Sequence, residues 1–194
     1  MAQPSDQAVA SEKKRFRRTM RTRRASINPT ERQISGERMR RLCLELPELA
    51  DARSVFAYVS FGSEMPTRTL IEALLARGVA LGVPVIEDKG VMTPARLTDL
   101  SELRPGRFGI PTPRDPQPLP DRLDAILAPC IAVTPEGKRL GVGGGYYDRF
   151  LADHDDVFVA ALAFEAQVTD WLPTEPHDRS VDAIVTEQRV IRCG

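Results

Sequence analysis

Net charge is missing from this chain: 27 lysines and arginines face 27 aspartates and glutamates, with two histidines besides. That balance excludes a protein that is basic as a whole, the usual footprint of a nucleic-acid binder. Long hydrophobic runs are missing too. No segment approaches the ~20 apolar residues that cross a bilayer, and the opening MAQPSDQAVASEKK has no apolar signal core. Residues 1–12 are expected to form a flexible tail. Cysteine is scarce: Cys43, Cys130 and Cys193 are odd in number, widely spaced and without a CxxC pair. This argues against a structural zinc site and for a reducing, cytoplasmic setting. Two familiar phosphate signatures are also absent. No GxxxxGK precedes a Ser or Thr, and a GxGxxG pattern that starts at Gly141 and Gly143 meets Tyr146 where its last glycine belongs.

What is present is concentrated in residues 139–151, RLGVGGGYYDRFL. Gly141, Gly143, Gly144 and Gly145 fall within five positions, flanked by Arg139 and followed by Tyr146, Tyr147, Asp148 and Arg149. Glycines let a backbone take positive φ and approach a ligand closely. A loop of this kind running into a helix offers free N–H groups to an anion. Arg139 and Arg149 can add charge-assisted bonds to phosphate, and Asp148 can hold a magnesium ion. A plain glycine-rich turn is the competing explanation, and the two arginines and the aspartate count against it.

Residues 13–24, KKRFRRTMRTRR, carry eight basic side chains and no acidic one. Ser11 can cap a helix here, Phe16 and Met20 form a thin apolar face at i,i+4, and Lys13, Arg17 and Arg21 share one side. A solvated basic face, an RNA-binding arm and a set of phosphate ligands all fit this pattern. Phe16 is the only ring in the stretch, which leaves little for base stacking.

Along the chain, strands alternate with helices. Helices are expected from the Asn28, Pro29, Glu31 start to about residue 46, over 67–77 with Leu70, Ile71, Leu74 and Leu75 facing inward, and near 145–153. Strands are expected over 54–59, 79–86, 124–128, 157–163 and 182–186. The proline-rich residues 87–122 read as mostly loop with a short strand or two. Near-continuous apolar strands between helices predict a mostly parallel sheet covered on both faces, a three-layer α/β sandwich. Residues 13–194 then form one domain, with ligands gathered at the carboxyl ends of strands, where the glycine loop lies.

Lys13 with Arg17, the segment SEMPT after the first strand, RLGVGGGYYDR and a closing PHD segment occur in an order and spacing that resemble the 5-formyltetrahydrofolate cyclo-ligase family, also called methenyltetrahydrofolate synthetases. The resemblance covers residues 13–186. It implies a fold similar to ribose-phosphate isomerases and coenzyme A transferases, and an ATP- and Mg²⁺-dependent conversion of 5-formyltetrahydrofolate to 5,10-methenyltetrahydrofolate. It further implies that Lys13, Arg17, Arg139, Gly141, Val142, Gly143, Gly144, Gly145, Tyr146, Tyr147 and Asp148 hold the nucleotide, with Lys13, Arg139 and Tyr146 at the reacting groups and Asp148 on Mg²⁺. Phe61, Glu64, Phe108 and Tyr147 would then meet the folate, which can carry a polyglutamate chain. A monomer is expected, with no nucleic-acid or membrane partner. His177 is expected to anchor a loop. The chain departs from the family pattern at Pro66, Thr112 and Cys130, on the expected folate side. The competing functions are a non-catalytic folate-binding paralogue, an RNA-associated module acting through residues 13–24, and a sugar-phosphate isomerase.

Overall fold

A computed structural model of the protein describes residues 6–87, 90–119 and 122–194. The basic stretch belongs to a helix, α1 (Asp6–Ala25), that starts earlier than expected. Residues 6–12 are its opening turns rather than part of a flexible tail, and residues 1–5 lie outside the described residues. Asn28 caps α2 (Pro29–Leu44), its side chain accepting from the Thr30 N–H at 2.8 Å with proline at the first helical position. After a short turn, α3 (Pro47–Ala50), the chain enters β1 (Ser54–Ala57), then α4 (Arg68–Ala76) and β2 (Ala80–Ile86). The proline-rich region holds more strand than expected: β3 (Met92–Leu97), β4 (Leu103–Pro105), β5 (Pro111–Pro113) and β6 (Gln117–Pro118). Prolines survive there because β3 and β6 close one edge of the sheet, and Pro94 lies directly across from Pro84. The rest comprises β7 (Ala125–Pro129), β8 (Ala132–Val133), β9 (Arg139–Leu140), α5 (Tyr146–Ala152), β10 (Phe158–Leu162), β11 (Ala183–Val185) and β12 (Val190–Arg192).

Eight strands form the central sheet in the order β12-β11-β10-β7-β1-β2-β3-β6. The five inner strands pair in parallel, and β12, β3 and β6 are antiparallel additions at the edges. Alternation along β1 splits the core. Val55 and Ala57 pack with Met39, Leu70, Ile71 and Leu74 of the α2 and α4 layer. Phe56 points the other way, toward Phe150 and Leu151 of α5. The expected α/β sandwich with a mostly parallel sheet is thus what the chain forms. Phe16 and Met20 seat α1 on a third cluster with Ile131, Leu140 and Leu172. Among the described residues, no helix is long and apolar enough to cross a membrane.

The chain steps from β1 to β2 on one side and later returns with β7 on the other. This switch leaves a crevice beyond the carboxyl ends of β1 and β7, where ligands of open α/β sheets bind.

Candidate active site

A cavity of about 800 Å³ opens at that crevice, walled by the inner face of α1, the turn after β1, Pro129 at the end of β7 and residues 139–148. Its size is at the upper end for a small-molecule site. Four cations of the basic stretch, Lys13, Arg17, Arg21 and Arg24, line it. That side of α1 therefore faces the cavity, with Lys13 and Arg24 buried and Arg21 exposed.

Lys13 is 3% exposed, and its Nζ donates to Glu175 at 2.5 Å and to both oxygens of Asp178 at 2.7 and 2.8 Å. Asp178 also accepts from the Glu175 N–H at 2.7 Å, so it, and not His177, anchors the closing loop. His177 is exposed, 3.8 Å from Glu175. The carboxylates of Glu175 and Asp178 and the His177 ring together bring three potential metal-ligand atoms within 4.8 Å of one another. Sequence reasoning passed over Glu175 and Asp178, although the EPHD string held both.

One helical turn beyond Lys13, Arg17 donates to the Gly141 carbonyl at 2.9 Å, and Arg21 donates to the Val142 carbonyl at 2.9 Å. Burial, and then neighbouring Arg21, pull the Arg17 guanidinium below its usual range. In a trans peptide the carbonyl and the next N–H point in opposite directions. The grip on these two carbonyls therefore turns the Val142 and Gly143 N–H groups away from α1. Among the described residues, no acceptor meets the N–H groups of residues 142–145. Gly143 and Gly145 hold φ of +110° and +67°, a region costly for other residues, and at Gly144 a Cβ would stand 2.7 Å from the Tyr146 ring. Arg149 fixes the loop from outside, bridging the Gly144 and Gly90 carbonyls while lying over the Tyr146 ring. The α5 helix has only seven residues, so the loop's N–H groups and the guanidinium groups, more than a helix dipole, set the local field.

Arg139 is 2% exposed. It donates to the Pro129 carbonyl at 3.3 Å and to Asp148 Oδ1 at 2.6 Å, and sits over the Tyr147 ring. The other oxygen of Asp148 has no hydrogen-bond partner among the described residues. The Tyr147 hydroxyl is buried without a partner among them too, and burial pushes its pKa well above the ordinary value.

The opposite end is built by the turn after β1. Thr67 Oγ1 donates to the Tyr58 carbonyl and accepts from the Ser60 N–H, both at 2.9 Å, and the Tyr58 hydroxyl donates to the Met65 carbonyl at 2.9 Å. These bonds hold Glu64, which accepts from the Phe61 N–H at 3.2 Å. Burial pushes the Glu64 carboxyl above its ordinary value, and the Phe61 N–H and Arg24 partly offset this. Phe61 and Phe108 are exposed at the rim and are not core residues. Phe108 is 65% exposed and carries φ of +57°, the one positive value outside glycine among the described residues. The three departures from the family pattern lie outside the cavity wall. Pro66 packs beside Gly36 of α2, Thr112 bonds to the Ile110 carbonyl within the β4–β5 hairpin, and the Cys130 thiol is buried.

A doubly covered, mostly parallel sheet with a crevice at its switch point, lined by glycine-loop N–H groups and cations, defines an α/β protein whose site has the donors an anion needs. The comparisons narrow that class. Residues 9–187 match the model of the 5-formyltetrahydrofolate cyclo-ligase family. The 5-formyltetrahydrofolate cyclo-ligase of Escherichia coli K12 is 32% identical over 179 residues, covering 88% of this chain and 98% of that one. The Mycolicibacterium smegmatis enzyme of the same name is 35% identical over 72% of this chain and 76% of its own. The solution structure of Aquifex aeolicus 5,10-methenyltetrahydrofolate synthetase superposes with a TM-score of 0.81 at 29% identity, over 93% of this chain and 92% of that one. This chain belongs to the 5-formyltetrahydrofolate cyclo-ligase family.

Proposed function

We propose that the protein cyclises 5-formyltetrahydrofolate to 5,10-methenyltetrahydrofolate at the expense of ATP. One observation carries this most: a cavity with four loop N–H groups that have no partner among the described residues, together with the α1 cations, on one side, and the buried Glu64 carboxylate on the other. The first side suits a triphosphate, and Glu64 suits the N–H edge of a pterin. The formyl carbon is amide-like and its oxygen leaves poorly. Transfer of the γ-phosphoryl group forms an O–P bond at the formyl oxygen as the bond to ADP breaks. N10 then attacks the formyl carbon and loses its proton, and phosphate departs with the former formyl oxygen. Phosphoryl transfer asks the protein for charge and alignment. Lys13, Arg17 and Arg139 supply the charge, the loop of residues 141–145 holds the phosphates, and Tyr146 borders the transferred group. Tyr147, Phe61 and Phe108 flank the folate.

The residues present fit a magnesium ion. Asp148 keeps one oxygen on the cavity wall without a hydrogen bond among the described residues, and Glu175 and Asp178, whose carboxylates pair with Lys13, are hard oxygen donors of the kind this ion takes. Bound there, it would neutralise phosphate charge. A cytoplasmic monomer acting on free or polyglutamylated folate completes the proposal, and its three unpaired cysteines suit a reducing compartment. The test is isotopic: with the formyl oxygen labelled as ¹⁸O, the label is expected in inorganic phosphate. Label remaining in the folate or released to water contradicts the mechanism.

A further inference from the structure

Arg24 lies on the same inner side of α1 as Lys13 and Arg17, yet the phosphoryl chemistry gives it no task. It follows Lys13 by three helical turns, about 16 Å along the axis, and its side chain reaches Ser63 of the turn after β1 and the Cys130 carbonyl just past β7, not the carbonyls of the glycine loop. Its side chain is buried, with the residue 8% exposed. Two bonds hold it: Nε donates to Ser63 Oγ and Nη1 to the Cys130 carbonyl, both at 3.2 Å. That carbonyl also accepts from Gln167 Nε2 at 2.7 Å, so its place is fixed from two sides. Among the described residues Nη2 has no partner, and no carboxylate oxygen lies within 4.0 Å of the guanidinium. A buried cation without a contacting anion is costly to keep. Glu64 stands near enough to feel its charge, and both side chains face the same cavity.

We infer that Arg24 and Glu64 form a donor–acceptor pair that reads the lactam edge of the pteridine ring, with Arg24 Nη2 donating to the C4 carbonyl oxygen. This rests on the folate substrate proposed above. The lactam places an N–H donor directly beside a carbonyl acceptor. A carboxylate alone accepts from the ring N–H and amino groups and leaves the carbonyl unread. A guanidinium already held by Ser63 and Cys130 meets that oxygen without ordering a new side chain. The pair also orients the ring, since turning it over would set the carbonyl against the carboxylate.

Isotope-edited infrared difference spectroscopy on the full chain, with 5-formyltetrahydrofolate carrying ¹³C at C4 and no ATP, tests this directly. In the wild type the labelled carbonyl band moves to lower frequency on binding. Arg24→Met abolishes the displacement and weakens folate binding about 10- to 100-fold, with ATP affinity unchanged, while Arg24→Lys restores part of it. A band that does not move in the wild type, or that moves equally in Arg24→Met, overturns the inference. The wild-type band decides the matter even if a variant fails to fold. Absence of any folate binding by the wild type contradicts the proposed function instead.

Discussion

Arg139 and Asp148, nine residues apart around the glycine loop, are joined by a 2.6 Å bond between Nη2 and Oδ1. The arginine is buried, so the aspartate is both its counter-ion and a wall of the cavity. Removing the carboxylate therefore does two things at once. Asp148→Ala is expected to lose turnover and also about 2 kcal/mol of stability, the scale of a hydrogen bond to a charged group. Asp148→Asn keeps an acceptor for Arg139 and removes only the charge. It should lose less stability in urea unfolding than Asp148→Ala, because the hydrogen bond to Arg139 survives and only its charge compensation is lost, yet lose most of its magnesium-dependent rate. Normal kinetics in Asp148→Asn would remove this carboxylate from the chemistry.

The glycine loop makes a sharper steric prediction. At Gly145, φ is +67° and a Cβ would approach Arg149 Nη1 to 2.7 Å. Gly145→Ala should cost about 1–2 kcal/mol in stability for the left-handed backbone alone. Displacing Arg149 also releases the loop's outer tether. Steady-state kinetics should show a raised KM for ATP with folate affinity little changed. The reverse pattern would place the loop on the wrong substrate.

Much of this site was readable in the chain, and the unreadable parts have physical causes. Lys13 and Arg17 were visible because helical spacing alone puts them on one side. The glycine loop was visible because only backbone donors and positive φ need so many glycines. Lys13's partners were not, since Asp178 is 165 residues away and only the folded sheet brings them together. Arg24 was missed because it follows the 13, 17, 21 row by three residues, off the spacing that marked the others. Within residues 87–122 the sequence allows only a short strand or two and does not single out β3, because Pro94 argues against a strand unless its place near the edge is known. Residues 6–12 were read as a tail because their polar composition does not reveal that they continue α1.

Glu64 carries the pH dependence. Its carboxyl is shifted upward from 4.5 by burial, so the native state binds this proton more tightly than the unfolded chain. The resulting penalty is absent below about pH 4.5, grows as pH rises from there to the raised native value, and is constant above it. Glu64→Gln should thus melt at a higher temperature than the parent at neutral pH, with the gap closing on acidification. The same variant should raise KM for folate and leave ATP binding intact. A stability gap that widens toward acid would reverse the sign of this assignment.

The cysteines should be inert in the native protein. Burial pushes Cys43 and Cys130 to about 12 and Cys193 to about 11, leaving almost no thiolate near neutrality. A disulfide-exchange titration at pH 8 is expected to find no fast thiol in the folded chain and three after denaturation, Cys193 being the first to react on slow exposure. A rapidly labelled Cys130 would show that the end of β7 opens in solution.

The most direct measurement mixes the purified protein with 5-formyltetrahydrofolate, ATP and magnesium, and follows methenyl absorbance and ADP together. One ADP should appear for each 5,10-methenyltetrahydrofolate, with no product when ATP is withheld. A folded protein that binds both ligands yet gives no ATP-dependent methenyl signal would contradict the cyclo-ligase function.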